Sequence, residues 1–145
     1  MKVVLDTAVI VAATRSNAGA AHQLLWAALN KRFELLLSVP LVLEYEAVLK
    51  RPEQLAVSGG TVQEVDILVN ALIGVSKPAY RAFLWRPLLP DADDDMVLEV
   101  ALSGHADLLV TFNQRDFEPA AAALGIDVVS PQEALKQIRR KNEKE

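Results

Sequence analysis

Short apolar runs alternate along this chain with segments whose apolar residues recur at helical spacing, and that alternation restricts the fold more than any other feature. Val3-Val4-Leu5, Phe33 to Leu37, Leu108 to Thr111 and Val128-Val129 each read as a strand, and Ala82 to Trp85 as a weaker one. Runs without polar alternation belong to strands covered on both faces. Between them the pattern predicts helices over 18–29, 40–50, 61–74, 94–103 and 120–124, and a last one after Ser130. Local signals agree. Ser38 and Pro40 open one helix, Thr61-Val62-Gln63-Glu64 has capping-box spacing, and Gly104 and Gly125 close two others. Ser130-Pro131-Gln132-Glu133 supplies an N-cap, an N1 proline and an N3 glutamate in order. Strands alternating with helices define an α/β protein, its parallel sheet covered by helices on both faces.

The 145 residues suit one domain, read here as 1–138 with a charged tail over 139–145 that is expected to fray. Cysteine is absent, which excludes disulfides, thiol nucleophiles, iron–sulfur clusters and Cys-type zinc sites. The first apolar run already ends at Asp6, unlike a secretory signal, and no run is long enough to span a membrane. A cytoplasmic protein is expected. The net charge of −4 and pI of about 5.2 weigh against a non-specific nucleic-acid binder. They weigh less against an enzyme whose acids hold cations, because a bound divalent ion reverses the local field.

Ligands of open α/β sheets bind beyond the carboxyl ends of the strands. Asp6-Thr7 follows the first strand, and Asn113 and Asp116 follow the run from Leu108 to Thr111. Asp6 has a second reading as a turn or cap residue. Glu44 lies within the apolar stripe of Leu41, Tyr45, Val48 and Leu49, where a carboxylate is costly unless paired or metal-bound. Its alternative is a stripe-edge residue reaching solvent. Asp94 heads the stripe of Val97, Leu98, Ala101 and Leu102, with an ordinary N-cap as the alternative. Asp91, Asp93, Asp94 and Asp95 crowd together and repel one another unless solvated or bound to cations. Carboxylates from strand ends and inward helix edges suit Mg²⁺ or Mn²⁺.

Other chemistries fit poorly. His22 and His105 lack metal-ligand spacing and read as surface residues. Nucleophile-elbow, Walker A and dinucleotide-binding signatures are missing. Trp26 and Trp85 lie in apolar stretches and read as core. A phosphohydrolase of the haloacid-dehalogenase type would want Asp-x-Asp after the first strand, and Asp6-Thr7-Ala8 lacks it.

Four segments together resemble PIN-domain proteins: Val3-Val4-Leu5-Asp6-Thr7, Ser38 to Leu49 with Glu44, Asp91-Ala92-Asp93-Asp94-Asp95-Met96-Val97-Leu98, and Leu109 to Phe117. Arg15-Ser16-Asn17-Ala18-Gly19-Ala20 resembles the segment after the first strand in one subgroup. The order is the family's, from Met1 to about Ala134. The resemblance implies a three-layer α/β/α fold and metal-dependent endoribonuclease activity, and the subgroup is similar to the VapC-like toxins of toxin–antitoxin pairs. Carried over by motif, the acids and Mg²⁺ or Mn²⁺ ligands are Asp6, Glu44, Asp94 and Asp116. Asn113 stands where the family often has Asp, so it is taken as a supporting polar group beside Thr7, Ser38 and Thr111. Arg15 and Arg115 are candidate phosphate contacts. The implied partners are RNA, an antitoxin and a second copy of the chain, with Val62, Val65, Ile67, Leu68 and Leu72 as contributors to a dimer or to the core. A non-catalytic PIN-like binding protein is the rival reading, kept open by Asn113 and the acidic pI.

Overall fold

Five parallel strands form one sheet in the order β3-β2-β1-β4-β5. The computed structural model describes residues 1–79 and 92–144, with backbone alone for 92–94. The strands are β1 (Lys2–Leu5), β2 (Glu34–Leu37), β3 (Ser76–Pro78), β4 (Leu108–Val110) and β5 (Asp127–Val129). The helices are α1 (Thr7–Arg15), α2 (Ala20–Leu29), α3 (Val39–Leu49), α4 (Pro52–Ser58), α5 (Val62–Val75), α6 (Ala92–Ser103), α7 (Gln114–Ala123) and α8 (Pro131–Lys144). The chain builds outward from β1 to β3, then returns to the other side of β1 for β4 and β5. The direction of winding therefore reverses between β1 and β4, which leaves a crevice at their carboxyl ends. This is the expected three-layer α/β arrangement, a parallel sheet flanked by helices.

β1 is central, and its position explains its composition. Val3, Val4 and Leu5 are wholly buried, as are Leu35 of β2 and Leu109 and Val110 of β4. Val3 pairs with both Leu35 and Leu108, so helices must cover both faces. Burying each such side chain stabilises the fold by about 1.5–3 kcal/mol.

Several elements depart from the pattern read in the sequence. α1 was not expected: Thr7-Ala8-Val9-Ile10-Val11 is rich in β-branched residues, which favour strands. Burial of Val9, Ile10 and Ala13 on one face overrides that preference. α4 was also missed, although Pro52 occupies a first-turn position and Gly59 closes the helix at φ +75°. β3 was unforeseen, while the weaker strand expected over 82–85 lies outside the described residues. α7 begins at Gln114 rather than 120 and carries Pro119 inside it. The tail expected to fray continues α8 as far as Lys144. In α5, Val65 and Leu72 join the core, whereas Ile67 is 70% exposed. Trp26, read as core, is instead an exposed residue of α2.

Gly104 ends α6 where the chain presses on β2. A Cβ there would stand 2.7 Å from Leu36 Cδ1 and 3.0 Å from the Val100 carbonyl. Gly104→Ala is expected to destabilise the protein by about 1–3 kcal/mol through this overpacking. The measurement is the denaturant midpoint, and an unchanged midpoint would show that Leu36 yields freely.

Candidate functional site

Asp6 follows β1 directly and stands at the N-cap position of α1. Its amide donates to the Val110 carbonyl at 2.9 Å, extending the β1–β4 ladder by one residue. Its side chain does not cap α1. Instead Oδ2 accepts from Thr111 Oγ1 at 2.8 Å. Thr111 is itself fully buried, and its amide donates to the Val129 carbonyl at 3.1 Å. The Asp6 carboxylate is thus aimed across the β1–β4 boundary, where the winding reverses.

Thr7 makes the matching contact on the other side. Its Oγ1 donates to Glu44 Oε2 at 2.6 Å, linking the start of α1 to α3. The next residue of α3 fixes that helix in place, because the buried Tyr45 hydroxyl donates to the Leu5 carbonyl. The last residue of β1 therefore anchors α3 and brings Glu44 toward Asp6. Burial, followed by the charges of Asp6 and then Glu44, pushes the Tyr45 phenol well above its ordinary range. Both carboxylates thus act on the same buried group.

The chain matches the PIN domain family over residues 2–115. It is a member of that family. The match includes β1, α3, α6 and β4, so it spans every segment that carries a candidate acid except the stretch just beyond Arg115. No curated protein matches the chain. PIN domains are typically nucleases that use divalent metal ions.

Within this PIN domain the other predicted residues fall in four places. Asp94 lies in the first turn of α6, not at an N-cap, and its side chain is outside the described residues. The helix phase used to favour it does not discriminate, because α6 is buried nearly all round: Asp95, Val97, Leu98, Glu99, Val100 and Ala101 are all buried. Asn113 precedes α7, and its amide donates to Thr111 Oγ1 at 3.0 Å while its Nδ2 donates to Asp116 Oδ2 at 2.7 Å. Asp116 is exposed on α7, and Arg115 beside it is exposed too. Ser38 is spent on capping, its Oγ accepting from the Leu41 amide at 3.2 Å. Arg15 lies at the far end of α1, where its guanidinium donates twice to Gln54 Oε1, at 2.8 and 2.5 Å.

The donor chemistry at Asp6 and Glu44 is all oxygen, which fits a hard divalent cation. Hydroxyls from Thr111 and Thr7 orient the two carboxylates. Among the described residues no three His, Asp or Glu side chains are grouped closely enough to hold a metal ion. Asp116 is therefore not drawn into one cluster with Asp6 and Glu44. It connects to Asp6 indirectly, through Asn113 and Thr111.

Sequence reasoning missed the Tyr45 hydroxyl and Glu99, and read Asp95 only as one of a crowd of acids. Tyr45 was taken for an apolar stripe residue, and nothing in the sequence marks its hydroxyl as a strand anchor. Asp95 and Glu99 are buried and each makes an interaction. Their four-residue spacing inside an apolar helix was the available signal.

Folding favours the protonated Tyr45. The stabilisation it contributes is complete below about pH 10 and is lost as pH rises through that value toward its raised folded-state titration. Tyr45→Phe is expected to lower stability at neutral pH by about 1–3 kcal/mol, by leaving the Leu5 carbonyl unpaired. It should also flatten the decline above pH 10. Denaturant midpoints measured from neutral to alkaline pH test both effects, and parallel curves would contradict the second.

Proposed function

We propose that this PIN domain is a divalent-cation-dependent endoribonuclease and serves as the toxin of a toxin–antitoxin pair. The observation that carries the nuclease reading is the pair of oriented carboxylates at the winding reversal: Asp6 held by Thr111, and Glu44 held by Thr7. In this reading Asp6 and Glu44 bind Mg²⁺ or Mn²⁺, and Asp94 joins them by its place in the motif order. The cation supplies Lewis-acid activation of water and compensates the charge of the phosphodiester. Thr111 keeps Asp6 turned toward the crevice, and the Asn113 amide holds Thr111. Asn113 and Asp116 form one polar pair at the rim, suited to a supporting role rather than direct ligation. Arg115 stands on the same first turn of α7 and is the favoured candidate for a substrate phosphate, because the Arg15 guanidinium is engaged by Gln54.

The toxin role rests on the resemblance of the segment from Arg15 to Ala20 to one PIN subgroup. An antitoxin segment bearing arginine would pair with the acidic crevice. Exposed Ile67 and Ile73 on α5 support a second copy of the chain as a partner.

The nuclease reading is tested by incubating the purified protein with a mixed RNA pool in Mn²⁺, Mg²⁺ or EDTA. Cleavage is expected with either ion and not with EDTA. Asp6→Asn, Glu44→Gln and Asp94→Asn should abolish it while the protein remains folded. Thr111→Val should reduce it by about 10–100-fold, the usual effect of removing a group that orients a ligand. Asp116→Asn should act more mildly than Asp6→Asn. Undiminished cleavage by Asp6→Asn would sink the scheme, and a folded protein that cleaves nothing with any ion would favour a binding role.

A further inference from the structure

The strands' amino ends carry a surface of opposite character to the crevice. α2 ends there, Arg32 lies just before β2, and α8 returns there with Arg139, Arg140, Lys141 and Lys144. Between α2 and α8 runs a trough whose first stretch, about 590 Å³, is lined by Gln23, Trp26, Asn30, Arg32, Arg139 and Asn142, among others. It shares Arg32, Ile138 and Asn142 with a small hollow that Met1 and Lys141 complete. Arg32 and Arg139 line this trough against the single carboxylate of Glu143, and Lys141 stands in the adjoining hollow. The lining of the trough is thus net positive, although the whole chain carries a net charge of −4.

Trp26 is 57% exposed at the head of the trough. Its indole is nonetheless fixed. Nε1 donates to His22 Nε2 at 2.9 Å, and His22 Nδ1 lies 3.0 Å from the Ala13 carbonyl. The imidazole therefore serves as acceptor to Trp26 and donor to Ala13, the neutral tautomer with its hydrogen on Nδ1. The two rings meet edge-on, at 70° and 6.4 Å, so the histidine does not stack on the indole face. Arg139 is positioned as well, donating to Gln23 Oε1 at 2.6 Å. A rigid, solvent-facing aromatic with an oriented arginine and a second arginine in the same trough is the equipment of a single-strand platform, in which bases stack and cations follow the backbone.

We propose that this trough binds single-stranded RNA away from the catalytic crevice, with one base stacked on Trp26 and phosphates held by Arg32 and Arg139. The choice of RNA rests on the nuclease reading, but binding here needs neither a metal nor cleavage. A duplex keeps its bases stacked on one another and cannot use the indole.

The test is fluorescence anisotropy of a labelled single strand of about ten nucleotides, titrated with the full chain in EDTA at low salt. Trp26→Ala is expected to weaken binding roughly ten-fold, and Trp26→Phe to retain most of it. Arg32→Ala and Arg139→Ala should each lower the salt dependence by about 0.7 in log–log slope. Thermal melts of each variant establish that it is folded. Equal affinity of the parent and Trp26→Ala, equal use of duplex RNA, or equal competition by an acidic peptide would overturn the proposal. Failure to cleave RNA with Mn²⁺ would count against the nuclease alone, since this binding is measured without it.

Discussion

A carboxylate just before a helix has a ready use as its N-cap, and Asp6 does not take it. The side chain turns across the sheet to Thr111, leaving the first turn of α1 without a side-chain cap. A missing cap costs a helix about 0.5–2 kcal/mol. The packing of Val9, Ile10 and Ala13 into the core is what keeps α1 formed. The contact between Asp6 and Thr111 requires β1 and β4 to be neighbours in register, with Leu5 opposite Val110. The whole parallel sheet thus converges on the placement of one carboxylate.

Tyr45 does for α3 what the sheet does for Asp6. Its buried hydroxyl bonds the last carbonyl of β1, so the helix carrying Glu44 is referenced to the same strand as Asp6. Two neutral threonines then aim the two acids. Burial first, and the charges of Asp6 and Glu44 after it, push the Tyr45 phenol above its ordinary range.

The polarity of the molecule follows from the direction of its strands. Carboxyl ends open on Asp6, Thr111 and Glu44, and amino ends are overlaid by the cationic end of α8 with Trp26 beside it. An overall acidic composition conceals this separation, because net charge says nothing of where charges lie.

Much was written in the sequence itself. Uninterrupted apolar runs such as Val3-Val4-Leu5 specify strands buried on both faces, and helices between them leave a parallel sheet as the solution. Asp6 and Glu44 were legible because a carboxylate at a strand end or inside an apolar stripe is an anomaly that local pattern exposes. Tertiary structure decided what local pattern cannot carry. α1 forms against the strand preference of its residues because it is packed on the core, and Trp26 faces solvent because α2 turns another face inward. Burial of α6 on nearly every side erases the helix phase that singled out Asp94. The partners of Asp6 and Glu44, Thr111 and Thr7, were also settled there. Asp6 and Thr111 stand 105 residues apart in the chain, and only the parallel pairing of β1 with β4 brings them within hydrogen-bonding distance.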